Sequence, residues 1–183
     1  MSKLYQTLEN RENVDEIEAN GPYLCNRSDA WLGPGYYYWE AFIYWAHHWG
    51  KTCYGLGNYV ICETLLDLKT ISILNLLDPE NLYDFQECIN AIQHLYPSRK
   101  LTVPVVIKYL KEHTSFPYVA IKASGLLSPI NIDSNRYIKF NPTMESVLDL
   151  RPQVQICLLE KSVIGDNNFK VIFPQEYASG YAI

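Results

Sequence analysis

The amino-acid sequence predicts an α+β fold in a single domain over residues 1–183. Runs rich in β-branched and aromatic residues occur early, centrally and late, and helical patterns are grouped between these runs rather than alternating with them. Hydrophobic residues make up 48% of the chain and charged residues 19%, a composition too apolar for a disordered chain. With 183 residues the chain is long enough to bury one sizeable core.

The first third of the chain predicts two strands and two helices. The turn residues Gly33-Pro34-Gly35 precede a run of four aromatic residues, which favours a strand. After this run, apolar residues recur at spacings of three and four, the pattern of an amphipathic helix that is expected to end at Gly50. The predicted strands are 4–8 and 36–39, and the predicted helices are 14–21 and 40–49.

The remainder of the chain predicts further strands and two helices. Asp78-Pro79-Glu80 is a strong helix start, because an Asp cap is followed by Pro at the first helical position. The runs 59–62 and 71–76 are expected to form neighbouring strands, and 124–141 is interpreted as a long connection. The other predicted elements are a helix at 103–111 and strands at 118–122, 154–159 and 169–173.

Charge, cysteine content and the amino terminus exclude several classes of protein. The net charge of -5 repels a phosphate backbone and gives no reason to propose nucleic-acid binding. The five cysteines form no Cys-x-x-Cys pair and are expected to be buried free thiols. Without a signal-like apolar run or the ~20 apolar residues of a membrane span, the expected location is the cytoplasm, although non-classical secretion leaves no such signal.

Familiar catalytic motifs are absent from the sequence. The pairs Gly33-Pro34-Gly35 and Gly55-Leu56-Gly57 lack the third glycine of a dinucleotide fingerprint, and there is no Walker loop or Gly-x-Ser-x-Gly elbow. His47 and His48 are adjacent on a predicted helix, so they point about 100° apart and cannot both face one metal ion. No metal site is therefore expected.

The stretch from Trp31 to Trp39 reads Trp-Leu-Gly-Pro-Gly-Tyr-Tyr-Tyr-Trp, and the helix after it carries Ala41, Ala46 and Trp49. This resembles the ADP-ribosyltransferase superfamily, whose members pair a Gly-x-Gly-hydrophobic-Tyr-aromatic strand with such a helix. The resemblance implies split antiparallel or mixed β-sheets with flanking helices around an NAD cleft, in which Tyr37 stacks on nicotinamide. Only this central motif is specific, and residues 69–141 match no part of the family pattern.

Two weaker motifs extend the resemblance over most of the chain. Leu4-Tyr5-Gln6-Thr7 is similar to the family's first strand, with Gln6 in place of histidine. Gln153-Val154-Gln155-Ile156 is similar to the late strand that carries the catalytic glutamate, which places Gln155 at the glutamate position. The chain thus reads Gln-Tyr-Gln in place of His-Tyr-Glu. The resemblance implies catalytic positions for Gln155 and Tyr37 and NAD contacts from Gln6, Thr7, Arg27, Ser28, Gly35 and Tyr37.

The residue chemistry leaves the roles of these positions open. Cleavage of the nicotinamide–ribose bond develops positive charge that a carboxylate stabilises, whereas a glutamine holds a sugar hydroxyl without supplying charge. Glu63 and Glu160 are candidate substitute carboxylates, although the odd offset of Glu160 turns it away from Gln155. Arg27 either binds the NAD pyrophosphate or lies on a solvated loop, and Tyr37 is either a ligand platform or a core residue.

Two functions are therefore carried forward. The first is an NAD-binding enzyme that transfers ADP-ribose to a protein or nucleic-acid acceptor. The second is a catalytically degenerate member of the fold that acts as a binding module, or as an interaction protein of a toxin and immunity system.

Overall fold

The computed structural model describes residues 1–125, 136–143, 145–165 and 168–178. Within these ranges the chain combines four α-helices with strands, as an α+β fold requires. The helices are α1 (Val14–Asn20), α2 (Ile43–Cys53), α3 (Pro79–Leu95) and α4 (Val103–His113). The strands are β1 (Ser2–Glu9), β2 (Tyr36–Glu40), β3 (Tyr59–Leu66), β4 (Ile73–Asn75), β5 (Ala120–Ser124), β6 (Tyr137–Lys139), β7 (Val147–Asp149), β8 (Val154–Leu158) and β9 (Lys170–Phe173).

Seven of these strands form one mixed sheet in the order β4-β5-β8-β2-β1-β3-β9. Neighbouring strands are antiparallel except for β4 and β5, which are parallel. Strands β6 and β7 form a separate antiparallel pair. None of the helices in the described part of the chain is long and apolar enough to cross a membrane.

The sheet is joined least extensively between β1 and β2. Only two residue pairs, Leu4 with Glu40 and Tyr5 with Trp39, connect these strands. Eight residue pairs connect β1 to β3, and four connect β2 to β8. Beyond Tyr5 the two strands therefore separate, and the sheet divides into a β4-β5-β8-β2 half and a β1-β3-β9 half.

Side chains of β2 alternate between the two faces of the sheet, as a strand requires. Tyr36 and Tyr38 pack on one face with a core that includes Ile17 of α1, which confirms their prediction as core residues. On the opposite face, Tyr37 packs with residues of α3 and α4, and Trp39 packs with residues of α2. The motif strand thus sends its odd-numbered aromatic residues toward the helices of that face.

Helix α2 differs from its predicted bounds at both ends. It begins at Ile43 because Ala41 has a positive φ of 63° and Phe42 is extended. It also continues through Gly50, which was expected to end it. Gly50 is buried, and a Cβ at this position would overlap the ring of Tyr59. The glycine is therefore explained by close packing of α2 on β3 and not by a helix stop.

Two predictions of strand arrangement were wrong. Strands β3 and β4 are not neighbours, because β4 lies at the far edge of the sheet beside β5. Parallel strands need a long crossover, and α3 and α4 provide it between β4 and β5. The pair β6 and β7 was missed, since part of it falls in the predicted connection 124–141, of which residues 126–135 lie outside the described residues.

The cysteine prediction holds only in part. All five cysteines are free thiols, but only Cys62 and Cys157 are buried, and Cys53 is exposed. Burial raises the pKa of both the Cys62 and Cys157 thiols. These two thiols are therefore expected to be protonated and to serve as small apolar side chains of the core.

Replacing Gly35 by alanine is expected to lower the free energy of unfolding by about 1–3 kcal/mol, because the new methyl group would overlap the sulfur of Cys157 on β8. Gly165→Ala is the matched control, since a Cβ there meets no described atom within 4 Å. It is expected to change stability by less than about 0.5 kcal/mol. Urea denaturation followed by circular dichroism measures both values. Equal effects of the two substitutions would contradict the close approach of Gly35 to β8.

Candidate functional site

A cavity of about 610 Å³ lies where β1 and β2 separate. Cavities of roughly 300–1,000 Å³ are typical of sites for small organic ligands and cofactors. Both separating strands contribute to its wall, together with the loop before β2, the end of α2 and the start of β8. The lining residues used below are Gln6, Thr7, Tyr23, Arg27, Asp29, Trp31, Tyr37, Trp39, Trp49, Tyr54, Gln153 and Gln155.

Five of the seven residues that the sequence singled out line this cavity. Ser28 lines a second cavity instead, and Gly35 is buried against β8. The close approach that Gly35 permits is thus made to a neighbouring strand. The five residues brought together from distant parts of the chain are Gln6, Thr7, Arg27, Tyr37 and Gln155.

Gln6 closes the base of the gap between β1 and β2. Its Oε1 accepts a hydrogen bond from the backbone N–H of Tyr23 at 2.9 Å, and its Nε2 donates to the carbonyl oxygen of Tyr23 at 3.0 Å. A longer contact of 3.4 Å joins Nε2 to the carbonyl oxygen of Tyr37. Gln6 is only 5% exposed, and its amide holds the loop that carries Tyr23 beside β1, where the pairing of β1 with β2 has ended. A direct hydrogen bond to a ligand would have to compete with these contacts.

Thr7 follows Gln6 on β1 and also bonds within the protein. Its hydroxyl donates to the carbonyl oxygen of Ala46 on α2 at 2.9 Å. This bond ties the separating strand to the helix that forms another wall of the cavity. Thr7 therefore helps to fix the shape of the site and is part of its lining.

Tyr37 is held by its own loop. Its hydroxyl donates to the carbonyl oxygen of Gly33 at 2.7 Å and accepts from the backbone N–H of Leu32 at 3.0 Å. Gly33 has a positive φ of 85°, a conformation that glycine adopts without strain. Burial raises the pKa of Tyr37, so the hydroxyl stays neutral at physiological pH. The residue offers the cavity a fixed aromatic ring and no free acid or base.

Gln155 is oriented by a residue from the loop before β2. The indole N–H of Trp31 donates to Oε1 of Gln155 at 2.6 Å. In the sheet, Gln155 lies between Trp39 of β2 and Ala123 of β5, and it is 7% exposed. With Oε1 bonded, Nε2 has no hydrogen-bond partner among the residues the structure describes. Gln155 therefore presents a donor to the cavity.

Arg27 forms a two-point ion pair with Asp29. Its Nε and Nη2 donate to the two carboxylate oxygens at 2.9 and 2.8 Å. The hydrogen bonds raise the pKa of Arg27 and lower that of Asp29. Both side chains are more than half exposed, at 58% and 65%, so the pair adds little to stability. A phosphate in the cavity would have to compete with Asp29 for this guanidinium.

The substitute carboxylates that the sequence suggested lie elsewhere. Glu63 accepts a hydrogen bond from Nζ of Lys3 at 3.1 Å, and Glu160 precedes a short 3₁₀ turn. Neither residue lines the cavity, whose described wall contains Asp29 as its only carboxylate. Across the described ranges, no group of three or more His, Cys, Asp and Glu side chains is placed to hold a metal ion.

Several lining residues were missed from the sequence. Trp49 was interpreted as helix packing, yet it is 38% exposed at the cavity wall. Its ring centroid lies 6.4 Å from that of Trp39, which lies 6.2 Å from that of Trp45. The excess of aromatic residues, 15 Tyr and 4 Trp, indicated an aromatic surface or pocket, but it did not show which of these residues would form it. The aromatic residues of the wall are Tyr23, Trp31, Tyr37, Trp39, Trp49 and Tyr54.

A second cavity of about 600 Å³ adjoins the first. Its wall is mainly apolar and comes from α3, the start of α4 and the end of β5, including Leu82, Phe85 and Val103. The two cavities share a part of the loop before β2 that includes Trp31, and they share Gly125. A Cβ at Gly125 would overlap the ring of Trp31, so glycine at this position allows the indole to lie between the two cavities as a partition.

Comparison of the chain with protein-family models, curated proteins and solved structures finds no match.

Replacing Gln6 by leucine is expected to lower the free energy of unfolding by about 1–3 kcal/mol, because two backbone groups of Tyr23 lose their partner. The same substitution at Gln93, exposed on α3, is the control and is expected to cost less than about 0.5 kcal/mol. Chemical denaturation of both variants measures the difference. A Gln6→Leu protein as stable as the control would show that the amide does not hold the loop at Tyr23 against β1.

Proposed function

We propose that this chain is an ADP-ribosyltransferase-like protein that binds NAD in the cavity between β1 and β2 and transfers ADP-ribose weakly or not at all. One observation carries the proposal. Gln6, Tyr37 and Gln155, which stand at the three motif positions of the resemblance, line a single cavity although they are separated by up to 149 residues.

The composition of the wall supports a ligand with flat rings and polar linkers. Stacking of a planar base on an aromatic side chain contributes about 1–3 kcal/mol, and this wall offers six aromatic residues. Gln153 and Gln155 supply amide groups able to bond sugar hydroxyls or a carbonyl. Arg27 supplies a guanidinium suited to a pyrophosphate, which would replace Asp29 as its ion-pair partner.

The same wall argues against efficient transfer. The reaction develops positive charge at the ribose, and a free carboxylate nearby is the group that stabilises it. In the described lining the only carboxylate is Asp29, which is already paired with Arg27. Gln155 stands at the position of the family's glutamate and is neutral. Binding is therefore supported better than catalysis.

Calorimetry with NAD tests the binding proposal. Trp49→Ala and Tyr37→Ala are each expected to raise the Kd by about 5- to 150-fold, the equivalent of one lost stacking contact. Tyr83→Ala is the control, since Tyr83 is exposed on α3 and lines neither cavity. A circular dichroism melt of each variant separates lost binding from lost folding.

Two outcomes would contradict this proposal. Absence of any heat with the unmodified protein at millimolar NAD would remove NAD as the ligand. Binding that is unaffected by both cavity substitutions would place the ligand elsewhere on the protein.

Gln155→Glu is expected to raise the rate of NAD cleavage at least about tenfold, because about 1.4 kcal/mol of added charge stabilisation suffices for that change. One oxygen of the new carboxylate can still accept from the indole N–H of Trp31. The reaction is run at pH 8 so that the buried Glu is ionised, and the released nicotinamide is measured by chromatography. Gln155→Leu is the control and should not exceed the unmodified protein. Equal rates for the Glu and Leu variants would show that position 155 is not at the reacting centre.

A second candidate function is recognition of a macromolecular partner through the β6–β7 hairpin. The guanidinium of Arg136 anchors this hairpin, lying 4.7 Å from the ring centroid of Trp45 and donating to both carboxylate oxygens of Asp149. Such recognition needs no ligand in the cavity, so absence of NAD binding would favour it. The apolar residues that the hairpin region exposes are Ile138, Phe140, Val147, Leu148 and Leu150.

A further inference from the structure

Two glutamines at the start of β8 carry hydrogen-bonding groups that the described protein does not use. Oε1 of Gln153 is shielded from solvent and has no hydrogen-bond partner in the part of the chain that the structure describes. Nε2 of Gln155 has none among the described residues, while Oε1 of the same side chain is occupied by Trp31. Nε2 of Gln153 also has no partner among the described residues, so one acceptor and two amide nitrogens are left over, and both residues line the large cavity.

The two glutamines lie close to each other at one part of the cavity wall. Gln153 directly precedes β8, on which Gln155 lies. Both residues line the same cavity. The other polar side chains discussed above, those of Gln6, Thr7, Tyr37 and Arg27, are bonded within the protein. The unused pair is thus concentrated at one part of the wall.

An unpaired buried carbonyl oxygen is unfavourable, so a ligand group that donates a hydrogen bond to Oε1 of Gln153 binds more tightly because it removes this cost. The last torsion of a glutamine side chain is soft, and rotation of this amide can turn its oxygen toward the cavity. A primary carboxamide has the matching groups, because its oxygen accepts from Nε2 of Gln155 while its NH₂ donates to Oε1 of Gln153. A carboxylate can accept from the unused amide nitrogens, but it has no N–H for the Gln153 oxygen and leaves that buried acceptor unpaired.

We propose that Gln153 and Gln155 form a carboxamide-recognition pair, which selects a ligand with a primary amide over its carboxylic acid analogue. This inference rests on the proposed function, since the nicotinamide end of NAD carries such an amide. Trp31 is a positioning residue in this scheme, because its N–H holds the Gln155 oxygen and leaves the amide nitrogen of Gln155 to face the ligand.

The test compares NAD with nicotinic acid adenine dinucleotide, which differs only in having a carboxylate for the amide. Calorimetry with the unmodified protein is expected to give a Kd for NAD at least about 20-fold lower than that for the acid. Gln153→Met preserves the length of the side chain without its polar atoms, and it should reduce this ratio to about threefold or less by weakening NAD. Gln93→Met, on the exposed side of α3, is the control and should leave the ratio unchanged.

Each outcome of this comparison is decisive. If NAD binds and Trp49→Ala weakens it while the two dinucleotides bind equally, the proposed function stands and the carboxamide pair is wrong. A ratio that persists in Gln153→Met also overturns the pair. If NAD does not bind, the proposed function fails, and the pair is then tested with free nicotinamide and nicotinate. Equal binding of these two, or no binding of either, overturns the pair as well.

Discussion

The short pairing between β1 and β2 is the constraint on which the site depends. Two residue pairs hold the halves of the sheet together, and the strands then separate. A gap in a sheet exposes backbone N–H and C=O groups that must be satisfied. The amide of Gln6 on β1 satisfies both backbone groups of Tyr23, a loop residue, so this loop lies against β1 where the pairing with β2 has ended. The cavity therefore lies where the sheet separates, and the loop before β2 completes its wall.

Most polar side chains discussed above as lining the cavity already form hydrogen bonds within the protein. Thr7 is tied to α2, the hydroxyl of Tyr37 to its own turn, and Arg27 to Asp29. The remaining wall is largely aromatic, with free hydrogen-bonding capacity at the start of β8. Such a wall favours recognition of flat, amide-bearing ligands over stabilisation of a developing cation, which needs unpaired negative charge.

Local sequence patterns predicted the parts of this structure that have local causes. Alternation along β2 placed Tyr36 and Tyr38 in one core and Tyr37 on the opposite face, because side chains of any strand alternate. The prediction that Gly50 ends α2 was wrong because the cause of this glycine is not local. A glycine in a helical pattern usually marks an end, but here it permits contact with Tyr59, a residue of a different element. The pairing of β4 with β5 likewise depends on a crossover of two helices, and no short segment of the sequence predicts it.

The residues of the candidate site also differ in whether a local sequence pattern predicts them. Gln6, Tyr37 and Gln155 were found because each belongs to a short motif, whereas the contact of Trp31 with Gln155 joins residues 124 apart and has no local pattern. This contact has consequences beyond the orientation of one amide. The ring of Trp31 is a wall of both cavities, so the shape of each depends on the position of the same side chain. A ligand that takes over the Gln155 oxygen would release the indole N–H, and the partition between the two cavities would lose the hydrogen bond that fixes it.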